Sequence, residues 1–262
     1  DLIVLMIMSQ KALIPALTEQ EIVDWIVQPL QERNAVMEIN MVPGRFMDTT
    51  QRVEPNWTQD YTDEIGDRHD LVSNGRGWRR GITAGVFEVQ SHGWTHRNPQ
   101  WEKYWAAGPT GRLDNRWGGE FYERVGGAEL PNAMQLFSMK RCRTALEETW
   151  GQRPLYFVPG QDAESFSYAN HTARLARKAG FALTQDFWLG QDFIINVQPY
   201  LFTDKKGQPR EVPGLEGERP VIMHSHDFDV YKDHDFIRKR LAGFGPEYRF
   251  TGINELAAYM FA

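Results

Sequence analysis

Leu2-Ile-Val-Leu-Met-Ile-Met8, then Thr18-Glu-Gln-Glu21, then Ala35-Val-Met-Glu-Ile-Asn-Met-Val42 is the stretch from which the fold is read. The first run is apolar and β-rich without alternation, the pattern of a strand buried on both faces. Thr18 with Glu21 three residues on is a capping box: the hydroxyl takes an orphan amide of the first turn, and the carboxylate returns to the Thr18 amide. Ile22, Trp25, Ile26 and Leu30 then recur at helical spacing. Ala35–Val42 predicts a second strand, closed by Pro43-Gly44. Strand, helix and strand on short connections form a βαβ unit, and such a crossover joins parallel strands.

The alternation continues outward from this unit. A strand ends at Ser91, a helix is expected over Met134–Thr149, and Leu155–Val158 is a short strand stopped by Pro159-Gly160. His171–Ala179 reads as a helix with Gly180 as its C-cap. Strand Phe181–Thr184, strand Val221–His224, helix Phe236–Leu241, strand Tyr248–Thr251 and helix Asn254–Met260 follow. Residues 45–78 and 97–131 hold no period of 2 or 3.6, and are expected to be long irregular loops carrying Trp57, Trp78, Trp101, Trp105 and Trp117. With no internal repeat, low-complexity tract or composition break, the chain reads as one domain over 1–262. The fold class is α/β, a barrel-like domain with two long inserted loops.

Composition limits the function. The 262 residues are 41% hydrophobic and 24% charged, enough apolar material for a large core. A formal charge of −6, with basic residues in short pairs such as Arg79-Arg80 and Lys205-Lys206, argues against nucleic-acid binding. The longest apolar run, Leu2–Met8, falls far short of the ~20 residues of a membrane span. The single cysteine excludes an internal disulfide framework and a cysteine-based zinc cluster. Cys142 lies in a helical segment and is expected to be a small core residue. The chain opens on Asp1 directly before a strand, from which the expectation is that a leader or further N-terminal sequence was removed.

Three segments could carry chemistry. Phe87-Glu-Val-Gln-Ser-His92-Gly-Trp-Thr-His96 delivers two of the seven histidines, four apart, at the end of a strand. Gly93 follows the first histidine and no glutamate does, so the metalloprotease helix is unlikely to be its form. A tight turn there can aim both imidazoles at one point, at the strand end where parallel α/β folds build sites; equally, these are two loop histidines with no shared ligand. Val221-Ile-Met-His224-Ser-His226-Asp-Phe-Asp229 again ends a strand in histidines, now beside carboxylates. His224 there suits a general acid near neutral pH, or a histidine merely held by a neighbouring aspartate. Val158-Pro-Gly-Gln-Asp162 offers Asp162 in a strand-end turn, and an ordinary turn is its simpler reading.

Taken in order, these segments resemble the NodB-like polysaccharide deacetylases, carbohydrate esterase family 4. Ala84-Gly-Val-Phe-Glu-Val-Gln-Ser-His92-Gly-Trp-Thr-His96 is similar to the family's H-S/T-x-x-H segment. Lys140–Pro159 resembles the helix and strand leading to its R-P-P-Y-G turn, Val221-Ile-Met-His224 its L-x-H motif, and Tyr248–Leu256 its closing strand and helix. The resemblance implies a distorted (β/α)7-type barrel with a site centred on a divalent metal (Zn, Co or Ni) at the strand C-termini. There the metal polarises an acetyl carbonyl and activates water, with an aspartate as base and a histidine as acid. Carried over by position, it implies His92 and His96 as metal ligands and His224 as the general acid. The nearest carboxylates in motif order to complete the site are Asp162, Asp227 and Asp229, with Asp162 expected as a metal ligand, Asp227 as a catalytic group and Trp94, Pro159 and Trp188 at the substrate, unless no metal binds. A carbohydrate substrate and an extracytoplasmic location follow from the same resemblance.

Two departures stand out. The family's T-F-D-D motif, which supplies the base and a metal ligand, falls on Ile7-Met8-Ser9-Gln10, with no carboxylate. The arginine of R-P-P-Y-G falls on Val158. Three functions are therefore expected to compete: deacetylation of an N- or O-acetylated carbohydrate at a rearranged metal site; metal-free hydrolysis of a small amide by His92, His96 and His224; and glycan binding without catalysis. The tryptophans of 45–117 would line a sugar cleft in the first reading, or pack core and loops.

Overall fold

The computed structural model describes residues 2–9, 16–47, 52–62, 68–95, 120–121, 132–159, 172–184, 195–196 and 221–255. The chain gathers into two compact units. Asp1–Asn40, Asn56–Val89 and Gln198–Ala262 form the first, and Met41–Pro55 with Gln90–Val197 form the second.

The first unit begins with β1 (Leu2–Ser9) and a helical stretch built from α1 (Glu19–Ile22), a π turn (Val23–Val27) and α2 (Gln28–Arg33). The capping box is present: the Glu21 amide donates to Thr18 Oγ1 at 3.3 Å and the Thr18 amide to Glu21 Oε2 at 2.7 Å. The π turn has a local cause. Pro29 has no amide to give to Trp25 and its ring crowds that carbonyl, so the Gln28 amide reaches back to Val23 instead. Strand β2 (Met37–Met41) then neighbours β1, and β1 pairs in parallel with β11 (Val221–His226) from Ile3↔Val221 to Met8↔His226. β12 (Arg249–Phe250) pairs in parallel with the start of β1, Leu2↔Arg249 and Ile3↔Phe250. Two buried or half-buried acids of the strands serve this end of the unit: Glu38 accepts from the Ile253 amide and Glu88 from the Asn254 amide.

The expectation of an irregular stretch over 45–78 fails. The structure has a hairpin of β3 (Gly44–Met47) and β4 (Arg52–Pro55), a short pair of β5 (Tyr61–Thr62) and β6 (Arg68–His69), and a full helix α3 (Leu71–Thr83). Glycines at 75, 77 and 81 hide that helix from any propensity argument, since each costs about 1 kcal/mol against alanine in a helix interior. They are there because the helix packs too closely for a side chain. A Cβ on Gly77 would stand 2.7 Å from Ile22 Cδ1, and one on Gly81 2.0 Å from the Phe87 ring. Asp70 caps the helix through the Ser73 amide at 2.9 Å. The tryptophans of this stretch are structural as well. Trp57 and Trp78 both donate to Asn74 Oδ1, at 3.1 and 2.8 Å, and Trp78 is buried against Phe87. Trp101, Trp105 and Trp117 lie outside the described residues.

The second unit holds the β3–β4 hairpin, the end of β7 (Phe87–Ser91), and the parallel succession β7, β8 (Tyr156–Phe157), β9 (Leu183–Thr184) and β10 (Ile195–Asn196). Helices α4 (Asn132–Trp150) and α5 (Thr172–Ala179) cover it, and Phe121, Met139, Phe157, Leu175, Ala176, Ala179 and Phe181 form the core. Gly180 is the expected C-cap, left-handed at φ +93°, with the Phe181 amide bonded to Ala176. Cys142 is fully buried, as expected. In the first unit, α6 (Asp227–Lys232) and α7 (Phe236–Ala242) follow β11, and the predicted closing helix is seen only from Ile253 to Glu255, its remainder being outside the described residues.

Candidate functional site

The second unit builds its polar centre where β7 and β8 end. The Val158 amide donates to the Ser91 carbonyl at 2.8 Å, which carries the strand pairing one step past β8. The next residue of β7, His92, is 1% exposed, and its Nδ1 lies 3.1 Å from the Val158 carbonyl oxygen. A carbonyl can only accept, so Nδ1 carries the hydrogen; in the neutral ring the lone pair is then on Nε2. A carbonyl that holds Nδ1 fixes the tautomer and the ring orientation, as backbone carbonyls do for metal-binding histidines.

The chain then turns sharply. The His92 amide donates to the Met41 carbonyl at 3.0 Å, and Gly93 takes φ +90°. The amides of Trp94 and Thr95 donate to the two oxygens of Glu120, at 2.9 and 3.2 Å. Glu120 is 1% exposed. It lies in the stretch 97–131, of which 120–121 are described, and those two residues are buried rather than spread on the surface. Phe121 sets its ring edge-on to Phe157 at 5.4 Å in the core. A Cβ on Gly93 would meet Glu120 Oε2 at 2.2 Å, so position 93 needs glycine both for its backbone and for the carboxylate beside it.

Beneath the turn, Ser91 Oγ and Cys142 Sγ are 3.0 Å apart. Burial pushes the Cys142 thiol up and the neighbouring Glu120 carboxylate adds to it, which favours the neutral thiol. Trp94 is half-buried. Its carbonyl takes the Gly44 amide at 2.8 Å, and its ring meets Phe137 of α4 edge-on at 5.6 Å. Phe137 is 58% exposed. Pro159 is buried directly after Val158.

The first unit has its own strand-end cluster. The register Met6↔His224 and Met8↔His226 sets the C-terminal ends of β1 and β11 level. Ser9, where the resemblance asks for an acid, ends β1 just past the Met8↔His226 pair, and Asp227 opens α6 just past it on the neighbouring strand. Asp227 is half-buried, and Asp229 Oδ2 accepts the His226 amide at 2.9 Å, capping α6. His226, not His224, occupies the last position of the strand.

The structure thus brings His92, Trp94, Val158 and Glu120 together. His96, Asp162 and Trp188 lie outside the described residues, as does the side chain of His224. Sequence reasoning missed Glu120 and Phe137: the first is one acid among many in an aperiodic stretch, the second one aromatic on a helix. Only His226 had a signal, its place in the same His-Ser-His run as His224. Among the described residues no three His, Cys, Asp or Glu side chains are grouped to hold a metal, and no helix is long and apolar enough to cross a membrane.

No protein-family model matches the chain, and no curated protein sequence does. Solved structures do. A protein from Mycobacterium smegmatis assigned as a polysaccharide deacetylase is 13% identical over 92% of this chain and 77% of its own, with a TM-score of 0.50. A family 4 acetyl xylan esterase from Clostridium thermocellum, in complex with a cobalt ion, is 12% identical over 100% and 93%, at 0.48. A family 4 pseudoenzyme from Bacillus anthracis is 14% identical over 97% and 65%, at 0.48. At such identities the likeness speaks for the fold alone, which is shared with the Mycobacterium smegmatis protein.

Proposed function

We propose that this chain is a hydrolase that removes an acyl group, in the first place acetyl, from a carbohydrate, on a single (β/α)7-type barrel domain spanning 1–262. The observation that supports it most is the buried imidazole of His92, tied through Nδ1 to the Val158 carbonyl at the C-terminal end of a parallel strand. The imidazole supplies a donor to the buried Val158 carbonyl, which an apolar side chain would not, and a buried ring held through one nitrogen is suited to ligate or to move a proton.

His92 fits a divalent metal by its tautomer, and the described residues supply this one ligand of the three such a metal usually takes from a protein. The proposal completes the set with His96 and Asp162. A metal held there would polarise the acyl carbonyl. The steps assigned to the chain's own residues need only proton transfers. The lone pair of His92 Nε2 would go to the metal, so the proton transfers fall to other side chains: Asp227, the carboxylate nearest in register to the empty position of the first motif, takes the proton of the attacking water, and His224 returns a proton to the leaving group. Trp94, Pro159 and Trp188 flank the sugar. An extracytoplasmic location belongs to the same reading.

One observation favours a second reading. β1 ends in Ile7-Met8-Ser9, without a carboxylate, which suits a glycan-binding relative that no longer turns over. A metal-free amidohydrolase stands between the two.

The test is metal content by elemental analysis after purification without chelators or affinity tags, beside acetate release from acetylated xylo- and chito-oligosaccharides. About one metal per chain, lost in the His92→Ala/His96→Ala double variant, together with acetate release, supports the proposal. Metal-free turnover of small amides moves the function to the amidohydrolase, and saccharide binding with no turnover of any substrate moves it to the binding protein.

A further inference from the structure

We infer that Glu120 is the positioning residue of the His92 centre, a role that rests on the hydrolase reading only where activity is measured. After Ser91 the chain leaves the strand ladder, and each amide it exposes needs an acceptor. The His92 amide takes the Met41 carbonyl, the Gly93 amide reaches the Cys142 sulfur, and the amides of Trp94 and Thr95 take the two oxygens of Glu120. One side chain therefore fixes half of the turn that follows the histidine.

Its own placement is fixed from the same side. Phe121 is locked edge-on to Phe157, and the carbonyl of Val158, the residue after Phe157, holds His92 Nδ1. The contacts close a ring: Glu120 to the Trp94–Thr95 amides, back along the turn to His92, across to Val158, and through Phe157 and Phe121 to Glu120 again. A closed ring of this kind resists the small tilt of an imidazole that costs activity when a supporting group is left loose. The glycine at 93 is part of it, because the carboxylate occupies the space a side chain would need. The ring draws two members, Glu120 and Phe121, from the stretch 97–131, so that stretch supports the centre itself.

The experiment compares Glu120→Gln and Glu120→Ala with Trp150→Phe, a buried variant at the end of α4 in the same unit and outside the Phe121–Phe157 core cluster. With ¹⁵N-labelled histidine at a pH of about 8, where free imidazole is neutral, the ring-nitrogen signals of His92 report its tautomer; His92→Ala assigns them. The wild type should show the Nδ1-protonated form. Glu120→Ala should shift it toward a mixture, Glu120→Gln should do so in part because an amide offers one acceptor where the carboxylate offers two, and Trp150→Phe should leave it unchanged. In turnover, kcat should fall about 10- to 100-fold in the Glu120 variants, with KM changed less than about threefold. A wild-type tautomer signal in folded Glu120→Gln overturns the proposal, as does an equal change in Trp150→Phe. If Glu120→Ala fails to fold, Glu120→Gln decides. If the wild type releases no acyl group, the hydrolase reading fails, and the tautomer signal still decides the role of Glu120.

Discussion

His92 Nδ1 stands 3.1 Å from the carbonyl oxygen of Val158, so the backbone of one parallel strand end orients a side chain on the next. The acceptor is a main-chain atom, and the identity of the side chain at 158 is therefore separate from the hold on the ring. Val158 occupies the place of the arginine in the resembling family's turn, and its buried isopropyl group is a packing element.

Two variants separate these roles. Val158→Ala should cost about 1–3 kcal/mol in a urea titration, the loss of buried methyl groups, and leave kcat within about twofold. His92→Ala should lower kcat by at least about 100-fold. A Val158→Ala enzyme as inactive as His92→Ala would show that the side chain, not the carbonyl, is what matters at 158.

Gly93→Ala should destabilise by about 1–3 kcal/mol, since φ +90° is costly for an L side chain and the methyl group would meet Glu120 Oε2 at 2.2 Å. Activity should fall with it, because the turn must shift to relieve the contact. Equal denaturation midpoints for variant and wild type would refute the geometry of the turn.

Glycine-to-alanine replacement in a helix ordinarily stabilises by about 1 kcal/mol. At Gly81 the sign should reverse. A Cβ there falls 2.0 Å from the Phe87 ring, so Gly81→Ala must push α3 off the strand and should lower the thermal midpoint by several degrees, about 2–4 °C per kcal/mol at this size. A rise in the midpoint would mean α3 does not pack as described.

The Cys142 thiol should resist alkylation in the native protein at neutral and mildly alkaline pH and react fully once unfolded, because burial holds it protonated. Its pH linkage has a definite sign. With a folded pKa raised above the unfolded thiol value of about 8.5, the contribution to stability is complete below that value and is lost as pH rises from it toward the folded pKa. Wild type should therefore lose stability more steeply than Cys142→Ala above pH ~8.5. Parallel curves for the two proteins would argue against a buried neutral thiol.

Phe137 is exposed beside Trp94, so Phe137→Ala should leave the thermal midpoint unchanged while weakening oligosaccharide affinity by about 2- to 10-fold, the span of a lost aromatic contact. Unchanged affinity in calorimetry would remove Phe137 from the substrate surface.

Much of the architecture was legible because its signals are local. The capping box at Thr18, the strand β1, the glycine stop at Gly180 and the strand ends at Ser91 and Phe157 depend on near neighbours, and each is seen where expected, within a residue or two. Helix α3 was not legible. Its glycines argue against a helix on propensity, and the reason for them lies in Ile22, Trp57 and Phe87, brought up from elsewhere in the chain. The same holds at the site. His92 announced itself by its place at a strand end; nothing near Glu120 in sequence points to the turn it serves 25 and 26 residues away.

By itself, then, the sequence determined the alternation of strands and helices, their parallel pairing and the strand ends at which chemistry can sit, since periodicity and capping are short-range physics. Only the tertiary structure decided which nitrogen of His92 is held, that Glu120 braces the turn after it, and that α3 is a helix at all. Those outcomes turn on close approaches between distant segments, where a few tenths of an ångström separate a contact from a clash.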